Sequence, residues 1–167
     1  LVDTVEDTFL DRAHSRRISF SSSLDHRLPE TLSSDPTRIR QILFNLVGNS
    51  FKFTEEGEVR VEISLLPHTI ADQKDRRLLL IMVTDTGVGI PDAKMESIFE
   101  AFSQGDHSYT KKYQGAGLGL SIVRRLVALL GGTMTVESEV GRGTVFTITM
   151  PLIPKHKQGT NDETAAG

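Results

Sequence analysis

The feature that most limits how this chain can fold is a set of segments with the two-residue period of half-buried strands. Glu58–Leu65 places Val59, Val61, Ile63 and Leu65 on one face. Met134–Ser138 and Val145–Met150 alternate in the same way around Val140-Gly141-Arg142-Gly143, which predicts a hairpin. Leu78–Thr84 is continuously apolar and reads as a central strand, and Ile18–Ser23 as a short one. A sheet of this kind has to cover its apolar face, and the segments between the strands have helical spacing. Residues 1–14 carry Val2, Val5, Phe9 and Leu10 near that spacing. Asp35-Pro36 is an N-cap with proline at the first helical position, and Ile39, Ile42, Leu43, Leu46 and Val47 carry the helix to about Phe51. Pro91 opens a short predicted helix with Met95, Ile98, Phe99 and Phe102. Leu120–Leu130 is a strongly apolar helix stopped by Gly131-Gly132. Hairpins punctuated by helices predict an α/β (α+β) two-layer sandwich, a mixed and mostly antiparallel sheet with helices on one face.

Bulk properties narrow the function classes. The 167 residues suffice for one domain with a real core. Nineteen basic and 22 acidic residues leave a net charge of −3, which gives no basis for electrostatic binding of nucleic acid or an anionic membrane. Cysteine is absent, so disulfides and thiolate metal sites are excluded, in keeping with a reducing compartment. No apolar run is long enough to span a bilayer. The chain opens at Leu1 without an initiator methionine and is expected to be an excised piece whose parent can still be membrane-anchored. Its polar, aperiodic end, residues 155–167, is expected to be disordered.

Four clusters break local rules in ways that point to chemistry. Asn45, Asn49 and Lys52 fall within roughly 60° of one another on their helix, beside the apolar stripe. Asparagine is a poor helix former, so two of them one turn apart suit ligation of a metal or phosphate, or else capping of neighbouring loops. Asp85-Thr86-Gly87-Val88-Gly89-Ile90 follows an apolar strand. There a carboxylate can accept from an exocyclic amine while glycines admit a flat base; a plain glycine turn is the alternative. Gly115-Ala116-Gly117-Leu118-Gly119 opens the last helix, where backbone N–H groups can hold phosphate oxygens, or where the glycines serve only as a hinge. It lacks the Gly-Lys-Ser/Thr of a Walker A loop, and a polar loop rather than a strand feeds it. That loop, residues 103–114, carries Lys111, Lys112, Tyr113 and Gln114, as a lid would or as a solvated surface loop would.

In this order and spacing the clusters resemble the superfamily that groups DNA gyrase, heat-shock chaperone ATPases, histidine kinases and MutL-type repair proteins. QILFNLVGNSFKFT resembles its N box, DTGVGI its G1 box, IFEAF an F box, GAGLGLSIV its G2 box and GRGTVFTITMP its closing hairpin, over a stretch from about Ile18 to Leu152. The forms of the N, F and G2 boxes are those of the histidine kinase branch, so the resemblance implies a Bergerat fold and the catalytic, ATP-binding domain of a two-component sensor histidine kinase. It places that domain at residues 1–154, with 1–17 a helix leading in from an absent dimerisation domain.

The resemblance then implies roles. Asn49 would coordinate magnesium (Mg2+) bridging the phosphates of ATP, with Asn45 assisting and Lys52 contacting phosphate. Asp85 would accept from the adenine amine, with Gly87 and Gly89 beneath the ring and Ile90 and Phe53 in the apolar wall. Gly115, Gly117, Leu118 and Gly119 would form the phosphate side. Lys111 and Gln114 would reach the γ-phosphate from the lid, which Phe99 and Phe102 would anchor. The alternatives are a gyrase- or chaperone-type ATPase, against which the asparagine at position 45 counts because those branches carry an acid near there, and a nucleotide-binding module without catalysis. The family's phosphoacceptor histidine lies in a motif like H-E-x-x-T-P, and His14, His26, His68, His107 and His156 all lack that context. The implied partners are therefore the dimerisation hairpin that carries the acceptor and, downstream, a response regulator receiver domain. The implied location is cytoplasmic, without direct membrane contact, and the domain alone is expected to be a monomer.

Overall fold

The computed structural model describes residues 2–29, 32–66, 77–100 and 119–154. The expected disordered end, 155–167, lies outside them, as does most of the polar loop. The elements are α1 (Val2–His14), β1 (Arg17–Leu24), β2 (Leu32–Ser33), α2 (Pro36–Phe53), β3 (Glu56–Leu66), β4 (Arg77–Asp85), α3 (Gly119–Leu129), β5 (Thr133–Glu139) and β6 (Gly143–Pro154).

The sheet runs β1-β3-β4-β6, with β5 and the two-residue β2 both on the far side of β6. Every pairing is antiparallel except β1 with β3, which is parallel. Register puts the alternating residues on one face: Val59, Val61, Ile63 and Leu65 lie opposite Asp85, Val83, Ile81 and Leu79. These in turn lie opposite Thr144, Phe146, Ile148 and Met150. All twelve are buried, whereas their neighbours in sequence, Gly143 aside, are half-buried or exposed. The helices cover this face, α1 against β1, α2 against β3 and β4, and α3 against β5. The fold is therefore the two-layer sandwich that the strand pattern predicted.

Helix α2 starts where the sequence signals it. Asp35 Oδ1 accepts from the Thr37 and Arg38 amides at 3.0 and 3.1 Å, satisfying two first-turn donors. Ile39, Ile42, Leu43, Leu46, Val47, Ser50 and Phe51 form its buried stripe. Thr54 ends it in extended backbone, its amide still donating to the Ser50 carbonyl, and the chain turns directly into β3. Helix α1 is bound to α2 by aromatic rings: Phe9 stacks on Phe51 with centroids 5.3 Å apart and tilts against Phe44 at 5.7 Å. Phe20 of β1 meets both Phe9 and Phe51 edge-on.

One expected element differs. The segment after Pro91 forms two single 3₁₀ turns, Asp92–Lys94 and Ser97–Phe99, rather than an α-helix. Neither has a side-chain cap, and a stretch this short gains too few α-helical bonds to offset nucleation. Phe102, expected on the same helix, lies outside the described residues. No helix among the described residues is long and apolar enough to cross a membrane.

Candidate functional site

Asp85 is the last residue of β4 and points to the helical face of the sheet, so strand register alone carries a carboxylate to the edge of the core. It is 6% exposed. The Gly87 amide donates to its Oδ1 at 3.0 Å and the Ser50 hydroxyl of α2 to its Oδ2 at 3.0 Å. Burial pushes the carboxyl above its ordinary value, against the Gly87 amide, the Ser50 hydroxyl and the Thr144 main chain, which favour the charged form. The result is a positioned acceptor with lone-pair capacity left over.

The turn after Asp85 is tied to both neighbouring elements. The Val88 amide donates to the Phe53 carbonyl at the end of α2, and the Glu58 amide donates to Thr86 Oγ1. On the other side Ile90 N–H donates to Ser138 Oγ at 2.8 Å, and Ser138 Oγ donates to the Gly143 carbonyl at 2.8 Å. Ser138 also lies 2.9 Å from Thr144 Oγ1. The two glycines assigned to the base both turn their missing side chains toward protein. A Cβ on Gly87 would lie 2.5 Å from the Phe53 carbonyl oxygen. One on Gly89, whose φ is +72°, would lie 2.2 Å from the Glu139 carbonyl oxygen. Close backbone packing is thus the need these glycines meet here.

Midway along α2, Asn45 Nδ2 donates back to the Gln41 carbonyl at 3.0 Å. Asn45 and Asn49 both face the first residue of α3: a Cβ on Gly119 would lie 3.4 Å from Asn45 Oδ1 and 3.6 Å from the Asn49 amide nitrogen. Two neutral amides therefore meet the start of a helix, where backbone N–H groups lack intrahelical partners. Amide oxygens together with phosphate oxygens are the hard donors that magnesium takes, so these residues fit an ion delivered with a nucleotide. Among the described residues no group of three or more His, Cys, Asp or Glu could hold a metal.

Lys52 is half-buried with Nζ 4.9 Å above the centroid of Phe53, and burial pushes its ammonium below its ordinary value. Phe53 is partly exposed, Ile90 packs against the core, and the Phe99 ring lies 5.7 Å from the Arg124 guanidinium. Lys111, Gln114, Gly115, Gly117 and Leu118 lie outside the described residues.

Sequence reasoning missed Ser50, Thr54, Ser138 and Thr144. A signal existed for all four: each is a polar residue in the apolar phase of its element, Ser50 and Thr54 following Leu46 at helical spacing, Ser138 following Met134 and Val136 on β5, and Thr144 preceding Phe146 and Ile148 on β6.

Residues 34–154 match the family model described as histidine kinase-, DNA gyrase B- and HSP90-like ATPase. The autoinducer 2 sensor kinase/phosphatase LuxQ of Vibrio vulnificus (strain YJ016) is 38% identical over 151 residues, 90% of this chain and 17% of LuxQ. The chain thus spans about a sixth of that relative. Among solved structures, full-length ShkA in complex with AMPPNP superposes with a TM-score of 0.73 at 37% identity, covering 90% of this chain and 29% of ShkA. The nucleotide-free catalytic domain of histidine kinase ThkA gives 0.70 at 29% identity, covering 90% of this chain and 89% of that one. With the asparagine-bearing helix, the buried strand-end aspartate and these matches together, the chain belongs to the histidine kinase-, DNA gyrase B- and HSP90-like ATPase family and is similar to the catalytic domains of sensor histidine kinases.

Proposed function

We propose that this domain binds Mg·ATP and donates the γ-phosphoryl group to a histidine on a separate dimerisation hairpin, as the catalytic part of a two-component sensor histidine kinase. The observation that supports the reading is that one helix, α2, reaches both the buried carboxylate at the end of β4 and the start of α3. Ser50 fixes the Asp85 carboxylate, while Asn49 beside it and Asn45 one turn earlier face the start of α3 at Gly119. Asp85 then accepts from the adenine amine. Asn49 holds magnesium against the phosphates, Asn45 steadies that end, and Lys52 offsets charge.

Phosphoryl transfer asks the protein for position and charge neutralisation. A nitrogen of the acceptor imidazole forms the bond to the γ-phosphorus as the bond from that phosphorus to the β,γ-bridging oxygen breaks. ADP leaves, and the proton on the other imidazole nitrogen passes to water. Phe102, Lys111, Gln114, Gly115, Gly117 and Leu118 enter this proposal on their sequence alone. A receiver domain of a response regulator would take the phosphoryl group next.

Calorimetric titration of Mg·ADP into the wild type and Asp85→Asn tests the nucleotide half. The wild type should bind saturably and the variant about tenfold to a hundredfold more weakly, the worth of a hydrogen bond to a charged group. Labelled ATP with a separately made histidine-bearing hairpin tests the other half: label should appear on histidine, and release of free phosphate alone would refute the kinase reading.

A further inference from the structure

Four main-chain groups of the turn after Asp85 are tied to neighbouring elements, three of them by main-chain partners. Thr86 N–H donates to the Glu58 carbonyl, Val88 N–H donates to the Phe53 carbonyl, and the Val88 carbonyl accepts from the Gly141 amide. The fourth, Ile90 N–H, ends on a side chain, Ser138 Oγ, at 2.8 Å. That hydroxyl is fully committed. Its single proton goes to the Gly143 carbonyl, so in the 2.9 Å contact with Thr144 Oγ1 the threonine is the donor. Ser138 therefore turns away from Ile90 only by leaving another group unpaired.

The tie holds the point where the turn leaves the sheet. Gly89, with φ +72° and its α-carbon close against the Glu139 carbonyl, carries the chain across the hairpin. Ile90 follows and packs on the core, and Pro91 has no N–H with which to add a tie of its own. We propose that Ser138 is a positioning residue for nucleotide binding, its hydroxyl setting through the Ile90 amide the depth at which the Ile90 side chain meets the base. The inference rests on the reading that the domain binds a nucleotide with Ile90 in its apolar wall. Such a wall acts by close contact, so displacing it weakens any purine, whatever hydrogen-bonding groups the purine carries. Ser138 has a second route to the site through Thr144, whose main chain supports the Asp85 carboxylate. That route would act on the hydrogen-bonding edge of the base instead.

Calorimetry with Mg·ADP and with the magnesium complex of purine riboside 5′-diphosphate, which lacks the exocyclic amine, separates the two. Ser138→Ala should bind both ligands about threefold to tenfold more weakly, the net worth of one hydrogen bond. Ser138→Thr keeps the hydroxyl and should bind as the wild type does. Thr133→Ala removes a 2.7 Å hydroxyl contact with Thr149 between the same two strands. It should lower the unfolding midpoint and leave both affinities unchanged, the pattern that a merely structural Ser138 would share. A Ser138→Ala chain that binds both ligands as the wild type does overturns the proposal. So does a loss confined to Mg·ADP, or a Ser138→Thr chain as weak as Ser138→Ala. A wild type that does not bind Mg·ADP, or an Asp85→Asn chain that binds it as tightly, overturns the nucleotide reading itself. If Ser138→Ala fails to fold, Ser138→Cys, whose thiol is a weak donor and acceptor of similar shape, takes its place in the same comparison.

Discussion

Ser50 Oγ and Asp85 Oδ2 are joined across 3.0 Å, so the residue after Asn49 on α2 holds the carboxylate at the end of β4. Ser50→Ala removes a donor that favours the charged carboxylate and leaves the burial that opposes it. The Asp85 carboxyl should therefore rise further above its ordinary value. Mg·ADP affinity should fall about threefold to tenfold at neutral pH, and by more at acidic pH. Calorimetry across pH checks this; an affinity profile superimposable on the wild type would disprove it.

Asp85 also predicts opposite responses of stability and binding. Its carboxyl is raised by burial in the folded state, so the folded chain holds the proton more tightly than the unfolded chain does. The stability tied to this group is full below the unfolded value and is lost as pH rises through the folded one. Asp85→Asn, which cannot ionise, should therefore be more stable than the wild type at neutral pH, with the difference vanishing in acid. Nucleotide binding needs the acceptor and should weaken in the wild type as pH falls through the same raised value. Urea unfolding and calorimetry on the two proteins over one pH series measure both.

Two glycines of similar backbone conformation should respond differently to alanine. Gly89 has φ +72° and faces the Glu139 carbonyl, where a Cβ would be 2.2 Å from oxygen. Gly141 has φ +79° with nothing within 4 Å of the added atom. Gly141→Ala should cost about 1–2 kcal/mol from the left-handed backbone alone. Gly89→Ala should cost about 3 kcal/mol or more, since overpacking is added. Equal unfolding midpoints for the two would refute the close approach.

Phe9 lies outside residues 34–154 yet is 2% exposed and stacked on Phe51 of α2. Phe9→Ala should cost about 3–5 kcal/mol. A chain cut to begin at residue 34 should lose its cooperative thermal transition and, with it, saturable nucleotide binding.

What could be read ahead of the structure was whatever is written locally. The two-residue period of β3, β5 and β6 placed their inward faces, buried on β3 and β6 and half-buried on β5, and Asp35-Pro36 placed the start of α2. The parallel neighbour of β3 was not legible, because nothing within Arg17–Leu24 specifies Glu56–Leu66 as its partner; α1 and the aromatic contacts across it decide that. The two-residue β2 carries no period at all. In the site, Asp85 and the asparagines stood out because they break helix or strand preferences. Ser50, Ser138 and Thr54 break nothing locally. They matter through groups distant in sequence, and only their position in an apolar phase hinted at it.

The Ser138 hydroxyl reaches the turn after Asp85 and the β5–β6 hairpin at once. That turn is thereby welded to the sheet, and loosening it means breaking strand pairing. On the proposed function, the ordering cost of seating a base would already be met when the chain folds. Control would then fall on the phosphate end and on access of the acceptor, with the fuel held in advance and only its delivery timed.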